Sequence, residues 1–193
     1  MTTRELIIQA AKRLYAENGY DSMTMKEIAN EVGIKAPSIY AFFTNKADIF
    51  LHIYQDTINR HLQLAETKAE EDRHRTVKEQ LEELLQAIVT FQYQEAMQMK
   101  IYIRMLLFPP EGFDVELKEK LVEIEKKEVA MFSLMFRRGM EKGEIKNGDS
   151  DAIALSFLCL LDGIFWQMQR YEEPVFMNRL QIIWQQFWRD IAL

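Results

Sequence analysis

The sequence predicts an all-α protein of about nine helices, with a three-helix head at the N-terminus and a larger helical body. Apolar residues recur at helical spacing along nearly the whole chain, and no segment alternates apolar and polar residues as a strand would. The composition is 48% hydrophobic with 7 Gly and 4 Pro, which suits a buried core. A chain of 193 residues is long enough for a small domain joined to a larger one.

The first two helices of the head have clear ends. Leu6, Ile7, Ala10, Leu14 and Tyr15 form the apolar stripe of the first helix. It ends at the pair Asn18-Gly19, because glycine adopts a left-handed cap at little cost. A capping box at 24–27 starts a second helix, about 25–32, in which the first threonine and the last glutamate satisfy each other's free amides.

A third short helix follows the turn at Gly33. Pro37 suits its first turn, where the missing N–H costs nothing, and the predicted range is about 36–43. Two short helices joined by a glycine-containing turn are typical of a helix-turn-helix, although ordinary helical hairpins share this spacing. Asn45 caps a long fourth helix that begins at Lys46 and runs to about residue 69. The remaining helices are predicted at about 76–96, 97–107, 114–142, 150–171 and from Pro174 to the C-terminus.

Charge is distributed unevenly along the chain. The formal net charge is −6, but residues 1–46 carry about +1 and residues 47–193 about −7. The acidity therefore lies outside the head, which leaves room for a local basic face near the N-terminus.

The head has a dense set of motif positions, and over residues 7–50 it resembles the DNA-binding domain of the TetR family of transcriptional regulators. The matching positions are Ile7-x-x-Ala10-Ala11-x-x-Leu14-Tyr15, Asn18-Gly19-Tyr20, Thr24-Met25-x-x-Ile28-Ala29-x-x-Val32-Gly33-Ile34 and Pro37-Ser38-Ile39-Tyr40-x-x-Phe43-x-Asn45-Lys46-x-x-Ile49. In the body, Gly139-x-x-x-Gly143-Glu144-Ile145 and Leu161-Asp162-Gly163 are similar to two recurring features of the family. The resemblance implies a DNA-binding domain at 1–46 and a ligand-binding and dimerisation domain at 47–193.

The resemblance also implies that the third helix enters the major groove of a palindromic operator. The residues expected to face DNA are Thr24, Lys35, Ala36, Pro37, Ser38, Tyr40 and Lys46. Ala36 and Phe42 depart from the lysine and histidine that the family often carries there. Phe42 is left with two interpretations, packing against a sugar or belonging to the core.

The last two helices are apolar on more than one side, which predicts burial against a partner as well as against the chain's own core. The resemblance agrees, implying a homodimer through a four-helix contact. The candidate interface residues are Leu160, Gly163, Ile164, Ile183 and Phe187. Asp162 interrupts this apolar region, either as a polar anchor or as a surface or ion-paired residue.

The middle helices are rich in Met and aromatic residues, which adapt to irregular cavities but are also common in plain cores. The family's ligand cavity favours a pocket for a small, mostly apolar effector. The candidate lining residues are Phe91, Tyr102, Met105, Met131 and Met135. Arg104 has two interpretations, binding an acidic ligand or extending to water. The fourth helix is expected to be the only long element that joins head and body.

Other classes of function lack their motifs. The single cysteine, Cys159, excludes an intrachain disulfide, and the three His lack metal-ligand spacing. There is no phosphate-binding glycine loop or nucleophile motif, and the apolar run at 152–161 is short for a membrane span. We therefore predict a cytoplasmic transcriptional repressor that is not an enzyme and uses no cofactor or metal. The alternatives are a dimeric regulator without an effector and, from another class, a helical carrier or enzyme.

Overall fold

The computed structural model describes residues 1–71 and 75–193, with side chains described for 1–60 and 75–193. These residues form nine α-helices and contain no strand beyond an isolated bridge between Ile145 and Ala192. The predicted all-α architecture is confirmed. The helices are α1 (Thr3–Ser22), α2 (Met25–Val32), α3 (Ala36–Ile39), α4 (Lys46–Glu71), α5 (Val77–Gln94), α6 (Ala96–Leu107), α7 (Asp114–Glu141), α8 (Ser150–Arg170) and α9 (Glu173–Ile191).

Helix α1 has a break near its C-terminal end. Gly19 has φ 81° and ψ −177°, a conformation outside the helix that side chains with a Cβ rarely adopt. The regular part of α1 therefore stops where the sequence predicts, and one further turn follows. Thr2 and Glu5 form a capping box at the opposite end.

Helix α3 is shorter than the predicted 36–43, because it ends at Ile39 and continues as a turn. The N–H of Phe43 donates to the carbonyl of Ile39 at 3.0 Å and closes the turn that follows the helix. The N-terminal cap of α4 follows directly after this turn. The N–H of Asp48 donates to the Asn45 side-chain oxygen at 2.9 Å, and the N–H of Thr44 donates to Asp48 Oδ2 at 2.8 Å.

The chain packs as two compact units. The first comprises Met1–Gln63 and Thr90–Leu121, and the second comprises Leu64–Val89 and Val122–Leu193. Helices α4, α5 and α7 each contribute residues to both units. This division by packing differs from the functional boundary after residue 46, which stays a prediction.

The glycine-containing motif at the end of α7 has a packing role within the second unit. A Cβ placed on Gly139 would lie 2.7 Å from Ile145 Cδ1 and 3.0 Å from Val77 Cγ2. The Val77 N–H, at the start of α5, donates to the Glu144 carboxylate at 2.6 Å. The motif therefore brings the end of α7 against the start of α5 and caps that helix.

Candidate nucleic-acid interface

The capping box at the start of α2 is fully formed. The Thr24 hydroxyl accepts from the Glu27 N–H at 3.2 Å, and the Glu27 carboxylate accepts from the Thr24 N–H at 3.0 Å and from its hydroxyl at 2.9 Å. These bonds, first that from the Thr24 backbone, lower the pKa of Glu27. The hydroxyl proton of Thr24 is thus already engaged. A phosphate contact by this residue would have to share or replace its bond to Glu27.

The surface that is predicted to face DNA lies around α3. Lys35, Pro37, Ser38 and Tyr40 are exposed, and Ala36 is partly exposed. Beneath them Ile39 is completely buried, which fixes the rotation of this short helix on the head. The structure therefore places five of the seven predicted DNA-contacting residues at the surface of one short segment, residues 35–40.

The two phenylalanines after α3 have opposite environments. Phe43 is 2% exposed, with the Arg4 guanidinium 5.0 Å from its ring centre and His52 packed edge-on at 5.3 Å. Phe42 is 42% exposed. Of the two interpretations left open, the core is excluded for Phe42.

Lys46 has a structural partner that the sequence did not reveal. Its ammonium donates to the carbonyl oxygen of Tyr20 at 3.1 Å and lies 3.9 Å from the centre of the Tyr20 ring. The Tyr20 ring in turn packs edge-on against Phe50 at 5.1 Å and Phe113 at 5.8 Å. Lys46 therefore holds the segment after α1 against the start of α4. A phosphate contact by Lys46 stays a prediction and would use its remaining donor capacity.

Helix α1 has two further attachments that the sequence did not indicate. Lys12 is 1% exposed and forms an ion pair with Asp56 of α4. The guanidinium of Arg104 on α6 donates to the carbonyls of Ala16 and Glu17, partners that neither interpretation of the sequence named. The expectation that α4 is the only long element reaching the head is therefore wrong, since α6 also contacts α1.

Comparison with known proteins agrees with this geometry. Residues 7–53 match the model of the bacterial regulatory proteins of the tetR family. The chain carries a TetR-family DNA-binding domain. It is therefore a DNA-binding transcriptional regulator, and the resemblance deduced from the head motif is confirmed.

Two regulators of fatty-acid metabolism are among the relatives of this chain. It is 27% identical over 145 residues to the fatty acid metabolism regulator protein of Bacillus subtilis, covering 74% of this chain and 70% of the relative. The fatty acid degradation regulator FadR from Bacillus halodurans has the same fold, with a TM-score of 0.71, 21% identity and coverage of 97% and 95%. SmeT, the repressor of the Stenotrophomonas maltophilia multidrug efflux pump SmeDEF, gives a TM-score of 0.76 at 17% identity, covering 100% and 92%.

The predicted dimer residues of this chain lie in one groove between α8 and α9. The groove is open, has a volume of about 560 Å³ and is lined by Ser156, Cys159, Leu160, Gly163, Ile164, Gln167, Ile182, Ile183, Gln186, Phe187 and Asp190. Ile164 is 1% exposed and forms its floor, whereas Ile182 is 59% exposed. All five predicted residues are thus brought together.

Helix α8 exposes an unusual amount of apolar surface. By length and composition it could cross a membrane, contrary to the sequence-based expectation, and only 22% of that stretch is buried within the chain. Core helices of soluble proteins pass the same test, so this is weak evidence for a membrane span. The exposed apolar face requires either a partner or a lipid environment.

The candidate effector residues divide between the two compact units. Phe91, Tyr102 and Met105 belong to the first, where Met105 is buried, and Met131 and Met135 belong to the second, where Met135 is in the core. Their role as a pocket stays a prediction. Among the residues that the structure describes, no group of three or more His, Cys, Asp or Glu is placed to hold a metal ion.

Asp162 is exposed on α8, in line with the surface interpretation, and the charges of Glu125 and Glu128 lie near its carboxyl. Burial of its carboxyl, although part of the residue reaches solvent, and the charge of Glu125 raise its pKa. On α7, burial raises the pKa of Glu128 to about 7, with smaller contributions from Asp162 and Glu125. The sequence missed this acidic cluster because Asp162, on α8, is far along the chain from Glu125 and Glu128 on α7.

Proposed function

We propose that this protein is a homodimeric, cytoplasmic, non-enzymatic repressor that binds a palindromic operator and is released by a small, mostly apolar effector. The observation that carries the proposal is the exposed segment at 35–40, held on a capped helix-turn-helix by the buried Ile39. A dimer of such heads binds half-sites about one helical turn apart, roughly 34–36 Å, because each recognition helix enters a successive major groove.

The side chains of this segment favour half-sites that are rich in A·T base pairs. Ala36 and Pro37 offer apolar surface, which matches the methyl group of thymine in the major groove. Lys35 and Tyr40 are exposed and can bind phosphates, which position the protein without reading sequence. We expect the exposed ring of Phe42 to pack against a sugar beside these contacts.

The groove between α8 and α9 supports the second copy as its occupant. Exposed apolar side chains on both helices, Leu155 and Ile182 among them, continue the groove surface. A Cβ added to Gly163 would meet no described atom within 4 Å outside its own stretch of helix, so a partner helix has room to approach closely. A stable interface of this kind buries on the order of 2,000 Å² or more in total.

The effector proposal is supported by composition and by relatives. Met and aromatic side chains in the middle helices suit varied apolar guests. Two of the relatives are named as regulators of fatty-acid metabolism or degradation, which makes long aliphatic chains the first class to test. By linkage, an effector that weakens operator binding about 5–150-fold must itself bind more weakly, by the same factor, when operator is present.

The test starts by selecting operator DNA from a random library with the wild-type protein. Specific binding to an inverted repeat is expected, and loss of all sequence preference would refute the regulator. A series of fatty acids of increasing chain length is then titrated with and without operator. If every tight-binding fatty acid binds with the same affinity with and without operator, the effector proposal is refuted. A dimeric regulator without an effector is then the remaining function.

The dimer has its own readout in Cys159, the single cysteine of the chain and part of the groove lining. We expect alkylation of this thiol to be slow at concentrations where the protein sediments as a dimer and fast after dilution to the monomer. Fast alkylation of a species that sediments as a dimer would place the interface elsewhere.

A further inference from the structure

The C-terminal end of α1 leaves backbone acceptors without helical donors. Gly19 leaves helical geometry, so the carbonyl groups just before it lose part of the hydrogen-bond ladder. The partial negative charge of a helix C-terminus is usually balanced by a cation in the last turn. Helix α1 has no basic residue there.

Arg104 of α6 supplies the missing cation from another helix. Its Nε donates to the carbonyl of Ala16 at 3.0 Å, and one of its terminal nitrogens donates to the carbonyl of Glu17 at 2.9 Å. The guanidinium is a planar fork, so two bonds to consecutive carbonyls fix both its distance and its orientation. The two residues that it joins are 88 and 87 positions away in sequence.

Two further residues, Gly19 and Tyr15, lie beside this contact. A Cβ on Gly19 would lie 3.1 Å from the other terminal nitrogen of Arg104, so the guanidinium occupies space that a side chain would take. Tyr15 is 1% exposed, and among the described residues its hydroxyl has no hydrogen-bond partner. Burial raises its pKa to about 12, against the opposing effect of the Arg104 charge.

Helix α1 is thus attached on two sides. The buried Lys12–Asp56 ion pair joins it to α4, and Arg104 joins it to α6. Along the chain, α6 lies between α5 and α7, and both of those helices contribute to the second compact unit. If α4 alone held the head, the head could rotate about that single attachment.

We propose that Arg104 is a positioning residue that fixes the orientation of the DNA-binding head against α6 and thereby sets the half-site spacing that the dimer accepts. The inference rests on the proposed binding of a palindromic operator by two heads. It assigns Arg104 no contact with DNA. Cutting the contact should therefore affect spacing discrimination, which depends on both heads, more than binding to a single half-site.

The experiment compares wild-type protein, Arg104→Ala, Arg104→Lys and, as a control on the same helix, Lys100→Ala, which removes an exposed cation. The probes are the operator selected by the wild-type protein, the same operator with one base pair inserted or deleted between half-sites, and a single half-site. We expect Arg104→Ala to bind the native spacing about 10-fold more weakly, the usual scale for lost charge-assisted hydrogen bonds. Its preference for native over altered spacing should shrink, with single half-site affinity and salt slope unchanged.

Arg104→Lys keeps the charge but loses the planar guanidinium fork, so its preference for the native spacing should lie between those of the wild type and Arg104→Ala. This variant also provides the measurement if Arg104→Ala does not fold. Lys100→Ala should match the wild type. An unchanged spacing preference in both Arg104 variants, or a parallel loss on all probes, overturns the positioning role while operator binding by the wild type stands. A wild-type protein indifferent to spacing overturns both this inference and the two-headed operator.

Discussion

The ammonium of Lys46 lies 3.9 Å from the centre of the Tyr20 ring and donates to the carbonyl of the same residue at 3.1 Å. It is a cation at the first position of α4, where the helix dipole disfavours positive charge. Its contacts with Tyr20 offset that cost. Lys46 consequently has a stabilising role in the head before any DNA is bound.

Lys46→Ala should reduce both the stability of the head and its DNA affinity. We expect a loss of about 1 kcal/mol from the hydrogen bond and the cation–π contact, seen as faster hydrogen exchange of amides near Tyr20. If Lys46 also binds a phosphate, affinity falls for all DNA sequences and the salt slope drops by about one. Lys35→Ala is the matched control, because this exposed lysine should change the salt slope without changing exchange. Unchanged exchange in Lys46→Ala would contradict the structural role.

Gly19→Ala should destabilise the head by about 1–3 kcal/mol, because alanine is strained at φ 81° and ψ −177°. Its Cβ would also displace the Arg104 guanidinium. The thermal unfolding temperature of the protein and the rate of amide hydrogen exchange in α1 measure this loss of stability. Gly148→Ala is the control for a glycine in open space outside the groove, where the free energy of folding of the chain should change by less than about 1 kcal/mol. Wild-type stability in Gly19→Ala would be inconsistent with the observed backbone.

Ile182→Glu should convert the dimer into a folded monomer. The side chain is 59% exposed in the chain, so a charge there costs little in the monomer but would be buried without a partner in the proposed interface. This makes it a sharper test than Leu160→Glu, which also disturbs a partly buried position. Val122→Glu, at an exposed apolar residue of α7, should remain dimeric. Sedimentation at micromolar concentration checks both, and a dimeric Ile182→Glu protein would remove this groove from the interface.

Glu128 should make the second compact unit less stable as pH rises. Its pKa is about 7 in the folded chain against an ordinary 4.5, so between these values the folded state holds a proton that the unfolded state has lost. Stability therefore falls as pH rises through this window and stays low above it. Asp162, whose pKa is also raised, acts in the same direction.

Glu128→Gln should flatten this dependence and raise stability at pH 8, by on the order of 1–3 kcal/mol. Denaturant unfolding followed by tryptophan fluorescence suits the measurement, because Trp166, Trp184 and Trp188 all lie in the second unit. Glu141→Gln, at an exposed residue of α7, should keep the wild-type profile. Parallel profiles for Glu128→Gln and the wild type would exclude Glu128 as the source.

Local signals located most of the helices and the exposed residues of the head. The capping box at Thr24 and Glu27 formed as predicted because both partners lie within one helical turn. The end of α3 was misplaced by four residues, since the turn at 40–42 keeps a helical hydrogen bond and differs little from helix in sequence. The acidic cluster of Glu128 and Asp162 was missed, because no pattern links two residues on separate helices.

The sequence by itself determined the helical class, the capped helix-turn-helix and the family, because periodicity, caps and motif spacing act over a few residues. The tertiary structure decided the partners of Lys12, Lys46 and Arg104, whose charges look alike in sequence but pair with Asp56, with Tyr20 and with the carbonyls of Ala16 and Glu17. It also decided that Phe42 is exposed beside the buried Phe43. A long side chain can reach many groups, and which one it meets depends on how helices far apart in the chain pack together.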